Sequence, residues 1–258
     1  MTRTSTGRGW KILLGIVAGL IILLFLAEIA VRGFIAQQIR SSVRDSVPES
    51  ADMREDASVH FGASPVLLGL ARGKLQYINI DVPSTLVPDR DEIVGNPPAT
   101  IDATGFALDP DNPSAEQLVL HTELPQALVR DMLQQELRRS LDEAQDGRFA
   151  EYDEILTVSD VRTDPAAGTF TVTFSNGAFG VELRPEVVDD QMTFTAESTQ
   201  ILGRSLPDFF SEAVSNALQK GLNEDVVGPM QIQQFQVIDN GFRITVAGEN
   251  VNLNELPV

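Results

Sequence analysis

The chain opens with an uncharged stretch of apolar residues, Ile12 to Ala27, which Glu28, Ile29, Ala30 and Val31 extend to about 20 residues. At about 1.5 Å per residue that length crosses a hydrocarbon layer of ~30 Å. Helical spacing then continues through Ile29, Phe34, Ile35, Ile39, Val43 and Val47, with Gln37, Gln38, Arg40 and Arg44 opposite. Pro48 ends it. The pattern predicts a helix that leaves the membrane and docks on the remainder of the chain; a juxtamembrane stalk is the plainer alternative.

Beyond Pro48 the period changes to two. Ile78, Ile80 and Val82 alternate with Tyr77, Asn79 and Asp81, and Phe170, Val172 and Phe174 alternate with threonines. Phe179, Val181 and Leu183, then Met192, Phe194 and Ala196, then Phe242, Ile244 and Val246 repeat the pattern. Alternation with a polar face predicts antiparallel sheet packed on one side. Asp164-Pro165 with Gly168, Asn176-Gly177 and Asn240-Gly241 mark turns. The last predicts a hairpin between Gln231–Val237 and Phe242–Val246.

Two Leu-Pro sequences open further helices, proline suiting the first helical position. One runs from Pro125 to about Leu141, with Leu128, Val129, Met132, Leu133 and Leu137 on one stripe. The other runs from Pro207 to about Leu222, with Phe209, Phe210, Val214 and Leu218 on its stripe. Residues 87–98 and 109–114, rich in proline and acid, are expected to be solvated loops.

A basic front points to a cytoplasmic N-terminus, although Arg32, Arg40 and Arg44 close behind the span keep the charge rule from deciding it. Arg3, Arg8 and Lys11 precede the span, with Trp10 at the interfacial position. A cleaved signal peptide is the competing reading. Against it, the apolar run exceeds the usual h-region of about 7–15 residues, and Ala27-Glu28-Ile29 offers isoleucine where a small residue is needed. We read residues 1–11 as cytoplasmic, 12–31 as a transmembrane signal-anchor and 32–258 as one extracytoplasmic domain, in a periplasm-like space. Three of the 19 basic residues precede residue 12, leaving 16, and all 37 acidic residues lie at or after Glu28. The exported part therefore carries −21, which argues against nucleic acid and against a polybasic grip on anionic lipid. With no cysteine, the domain is held by its core alone.

Candidate chemistry is sparse. His60 and His121 have no partner at metal-ligand spacing, and no catalytic or metal residue is assigned. There is no Gly-x-Ser-x-Gly and no glycine-rich phosphate loop. Asp109-Pro-Asp111-Asn112 lacks the glycine and glutamate of a calcium loop, and no cofactor is expected. Carboxylates such as Asp89, Asp91 and Glu92 leave a carbohydrate-active enzyme as a minor alternative. Thirteen Phe, five Met and broad apolar helix faces fit either a packed core or an apolar ligand cavity.

One stretch narrows the choice. Val59 to Asp81 (VHFGASPVLLGLARGKLQYINID) places Ser64-Pro65, Leu67-Leu68-Gly69-Leu70, Gly73 and Ile78/Ile80 in the order that opens the LmeA-like phospholipid-binding domain, which it resembles. Val237 to Gly248, followed by Val251 and Leu253, is similar to that family's closing hairpin. The likeness spans about residues 30 to 256. It implies an α+β fold of the BPI-like, tubular lipid-binding type, in which a strongly curved antiparallel sheet wraps two or three long amphipathic helices. It also implies binding of phospholipid, of the phosphatidylinositol type, in envelopes of the mycolate kind that assemble lipomannan. An envelope glycosyltransferase is the kind of partner implied. Some members are secreted; the anchor here favours lipid handling beside the membrane. The expected lining residues are Leu128, Met132, Leu137, Phe209, Phe210, Val214 and Leu218 from the helices, with Ile78, Ile80, Phe170, Phe174 and Phe194 from the sheet. Arg72 and Lys74 are the expected headgroup contacts, with ordinary surface charges as the alternative; the Ile29–Val47 helix docking on the domain would hold the lipid entrance within a few helical turns of the bilayer. A scaffold with a dry core and no ligand is the alternative.

Overall fold

The computed structural model describes residues 6–45, 56–89, 92–109, 111–143, 157–188, 191–201 and 229–255. The fold is α+β with antiparallel pairing throughout. Helix α1 (Thr6–Asp45) is unbroken, and its part Val17–Ser41 is long and apolar enough to cross a membrane. From Val17 to Leu26 its large apolar side chains are exposed. From Glu28 onward one face docks: Ala36 is buried, and Val31, Ile35 and Ile39 pack against the core. On the opposite face Ile29 and Phe34 remain exposed, so the free apolar surface of α1 overlaps the docked stretch.

The larger sheet has six strands: β1 (Ser58–His60), β2 (Lys74–Val82), β5 (Ala99–Ala107), β6 (Ser114–Pro125), β11 (Met230–Ile238) and β12 (Gly241–Asn252), in the order β1-β2-β5-β6-β12-β11. The smaller has β7 (Val158–Asp164), β8 (Thr169–Phe174), β9 (Phe179–Val188) and β10 (Gln191–Ile201), in the order β10-β9-β8-β7. Alternation sorts β8 and the first half of β9 as the period predicts. In β8, Phe170, Val172 and Phe174 are buried while Thr171 and Thr173 are only half-buried. The closing hairpin turns at Asp239-Asn240, with Asn240 at φ 61°. The two sheets meet on aromatic rings. Phe170 stands edge-on to Phe242 at 5.0 Å and to Phe194 at 5.9 Å, and Phe235 lies 5.4 Å from Phe242.

One expectation is corrected. The proline-rich segment after Val82 is not all loop, since β3 (Val87–Asp89) pairs with β4 (Glu92–Val94) as a small hairpin. Thr85 closes its base, donating its N–H to the Asn96 carbonyl at 3.0 Å and accepting the Asn96 N–H on Oγ1 at 2.8 Å. Gly95 makes that closure possible: at φ +107° its missing Cβ would lie 2.4 Å from the Thr85 carbonyl oxygen. Two further helices complete the description, α2 (Val66–Ala71) and α3 (Gln126–Glu143). The helix expected from Pro207 lies outside the described residues.

Candidate functional site

Helix α3 begins where β6 ends. The Gln126 N–H donates to the Asn240 carbonyl at 2.9 Å, so the helix starts at the turn of the closing hairpin. Leu128, Leu133 and Leu137 are buried on its core face. Met132 lies on the same apolar stripe in sequence, yet it is 37% exposed. The reason is a cleft of about 530 Å³ beside α3, closed on one side by the β3–β4 hairpin and on another by the start of β7. Its apolar wall is Ile93, Leu128, Met132 and Val158, and Arg130, Asp131, Gln134, Gln135, Arg138 and Thr157 complete the lining.

Two α3 side chains fix its walls. Asp131 accepts the Ile93 N–H on Oδ2 at 2.8 Å, tying the hairpin to the helix. Its other oxygen accepts Arg130 Nε at 2.8 Å. Gln134 Oε1 accepts the Val158 N–H at 2.6 Å, tying β7 to the helix. Arg138 is exposed on the rim and makes no ion pair among the described residues. An apolar wall beside the exposed Arg138 guanidinium suits an amphiphile with an anionic head, because the guanidinium fork matches phosphate oxygens. The volume lies within the range of about 300–1,000 Å³ typical of small-molecule pockets.

A second cleft, of about 460 Å³, lies on the larger sheet. Its polar groups already satisfy one another: Asp81 accepts both Ser58 Oγ and Thr100 Oγ1, and Glu123 pairs with Arg243. Its apolar wall is Val82, Pro83, Pro98 and Ala99, and its one arginine, Arg243, is already spent on Glu123.

Of the residues expected to line a lipid site, Leu128 and Met132 share the α3 cleft. Leu137 and Ile78 are buried in the core, and Ile80 is half-buried against it. Phe170 and Phe194 form the seam between the sheets, and Phe174 stacks on Phe179 at 5.0 Å. Phe209, Phe210, Val214 and Leu218 lie outside the described residues. Arg72 is exposed at the end of α2, while Lys74 is ion-paired with Glu116. These two cations stand at the opposite end of the larger sheet from the cleft. Lys74 pairs with Ala107 and Ala107 with Ser114, the first residue of β6, whereas α3 leaves from the last. Twelve residues at about 3.3 Å each put ~40 Å between the two ends. Arg130, Arg138 and Ile93 were not expected at a site. The spacing Leu128, Asp131, Met132, Gln135, Arg138 traces one helix face and is the signal that reveals the lining polar residues with the apolar pair.

The family model for LmeA-like phospholipid-binding proteins matches residues 25–248. The chain belongs to the LmeA-like phospholipid-binding family. The match starts two residues before Ala27 and so takes in the docked half of α1, both sheets and α3 in this LmeA-like chain. The comparison with curated proteins found no match, and neither did that with solved structures.

Proposed function

We propose that this LmeA-like protein is a non-enzymatic phospholipid-binding protein, held by α1 at the outer face of the plasma membrane, that handles lipid for envelope or lipomannan-type lipoglycan assembly. The observation that carries the reading is the α3 cleft, with an apolar wall beside exposed Arg138 in a chain of a phospholipid-binding family. Acyl methylenes entering it would contribute about 0.8 kcal/mol each on burial. The Arg138 guanidinium would meet the phosphate, of a phosphatidylinositol-type lipid in this reading. Beyond the cleft, the two sheets joined at the phenylalanine seam would form one strongly curved, BPI-like wall on which further chains lie. A cleft ~40 Å along β6 from the anchor end favours passing lipid outward, to a partner such as an envelope glycosyltransferase.

The test uses the full chain in vesicles loaded with fluorescent phospholipid. Met132→Glu places a carboxylate on the apolar wall without touching the buried core and is expected to abolish most uptake; Arg138→Glu is expected to weaken it. Uptake equal to wild type in the folded Met132→Glu variant overturns the assignment of the cleft. A second reading, a scaffold with no ligand, draws on the complete burial of Phe174 and near-complete burial of Phe170. It predicts no uptake by wild type at all.

A further inference from the structure

Helix α2 is bound to α1 by a charged clasp. Glu28 accepts the Val66 N–H on Oε1 at 2.6 Å and the Leu67 N–H on Oε2 at 2.9 Å. Arg32, one turn on, donates to the same carboxylate at 2.7 Å. Its other nitrogens donate to the carbonyls of Phe61 at 3.0 Å and Ser64 at 2.9 Å. The first turn of α2 therefore sits level with Glu28, between the exposed run Val17–Leu26 of α1 and exposed Ile29 and Phe34.

Val66 and Gly69 turn inward on β2. A Cβ on Gly69 would lie 2.8 Å from the Lys74 carbonyl oxygen, so only glycine lets the helix settle this close. That seating turns Leu68 and Leu70 outward, 45% and 40% exposed. Exposed Arg72 comes next, with no ion pair among the described residues. Outward Leu68 and Leu70, on different sides of the short helix, and exposed Arg72 thus lie beside a stretch of α1 that still exposes Ile29 and Phe34, on a domain that is otherwise strongly acidic.

We propose that α2 is a second membrane contact, with Leu68 and Leu70 set into the outer interface of the bilayer that α1 crosses and Arg72 among the lipid phosphates. Small amphipathic elements with apolar and basic residues bind interfaces in this way. The contact rests on the reading of α1 as an anchor. It fixes the tilt of the domain, so that β6 leads away from the membrane toward the α3 cleft.

The chain has no cysteine, so single reporters are clean. Leu23→Cys, Leu68→Cys, Leu70→Cys and Asp239→Cys, the last in the hairpin turn at the far end of the sheet, each take an environment-sensitive fluorophore. The full chain is reconstituted in phosphatidylcholine–phosphatidylglycerol vesicles carrying doxyl-labelled lipid. We expect blue-shifted emission and loss of fluorescence to the doxyl lipid at positions 23, 68 and 70, and neither at 239. Quenching at 23 without quenching at 68 and 70 overturns the α2 contact and leaves the anchor standing. No quenching at 23 overturns the anchor, and the contact with it. A blue shift at 68 and 70 that doxyl lipid leaves unchanged means that protein covers α2, which also overturns the proposal.

Discussion

Glu28→Gln is the substitution whose consequence the structure defines most sharply. Helix α2 starts behind Pro65, whose side chain cannot accept a hydrogen bond, so its first N–H groups have no local cap. Glu28, more than thirty residues earlier, supplies both missing acceptors and is itself held by Arg32. Glutamine keeps the size but offers a single neutral oxygen. One of two charge-assisted bonds, each contributing about 1.5–3 kcal/mol, is then lost, and the other falls to about 0.5–1.5 kcal/mol. The Glu28 side chain is 16% exposed and that of Arg32 33%, so water offsets part of the loss. A local destabilisation of about 2 kcal/mol results, equivalent to roughly 30-fold faster amide exchange. Hydrogen exchange on the full chain in nanodiscs reads this at Val66 and Leu67, with Val172 in the core of β8 as the control. Unchanged exchange at Val66 and Leu67 would refute the clasp. Equal acceleration at Val172 would show a global effect in place of a local cap.

The same contacts set three further outcomes. Phe242 is 1% exposed, so Phe242→Ala should cost about 3–5 kcal/mol in urea unfolding; Phe242→Leu, losing mainly ring-edge contacts to Phe170 and Phe235, should cost about 1–2 kcal/mol. Asp131→Ala should free the β3–β4 hairpin from α3, seen as faster proteolysis after Val87 and weaker lipid uptake with the sheets intact. The hydrogen bond from Arg184 holds the Glu197 carboxyl below the ordinary carboxylate range, outweighing the upward push of burial. Its contribution is complete above that range and fades as the pH falls through the lowered folded value. Wild type and Glu197→Gln should therefore differ in thermal stability near neutral pH and converge in acid.

Much of the fold was legible because it is written locally. Period-two runs at 76–82, 170–174, 179–183 and 242–246 became strands, and the stripe from Leu128 to Leu137 became α3. The small hairpin was hidden because its strands have three residues each and are held from outside, by the Thr85–Asn96 pair at their base and by the distant Asp131. The partition into two sheets depends on pairings such as Gly241 with Pro125, far apart in sequence, and no local pattern carries them. Glu28 was misleading in another way. In the sequence it merely extends an apolar run, while in the fold it caps a helix of the domain. Met132 shows the limit for sites: a helical stripe identifies an apolar face but not which of its members border a cleft.

The central claim is that the chain holds a phospholipid in the α3 cleft. Native mass spectrometry of the full chain, released from detergent and then subjected to lipid identification, tests it most directly. The account predicts a bound phospholipid on wild type and its loss in the folded Met132→Glu variant. A wild-type chain that stays lipid-free after incubation with phospholipid vesicles would contradict it.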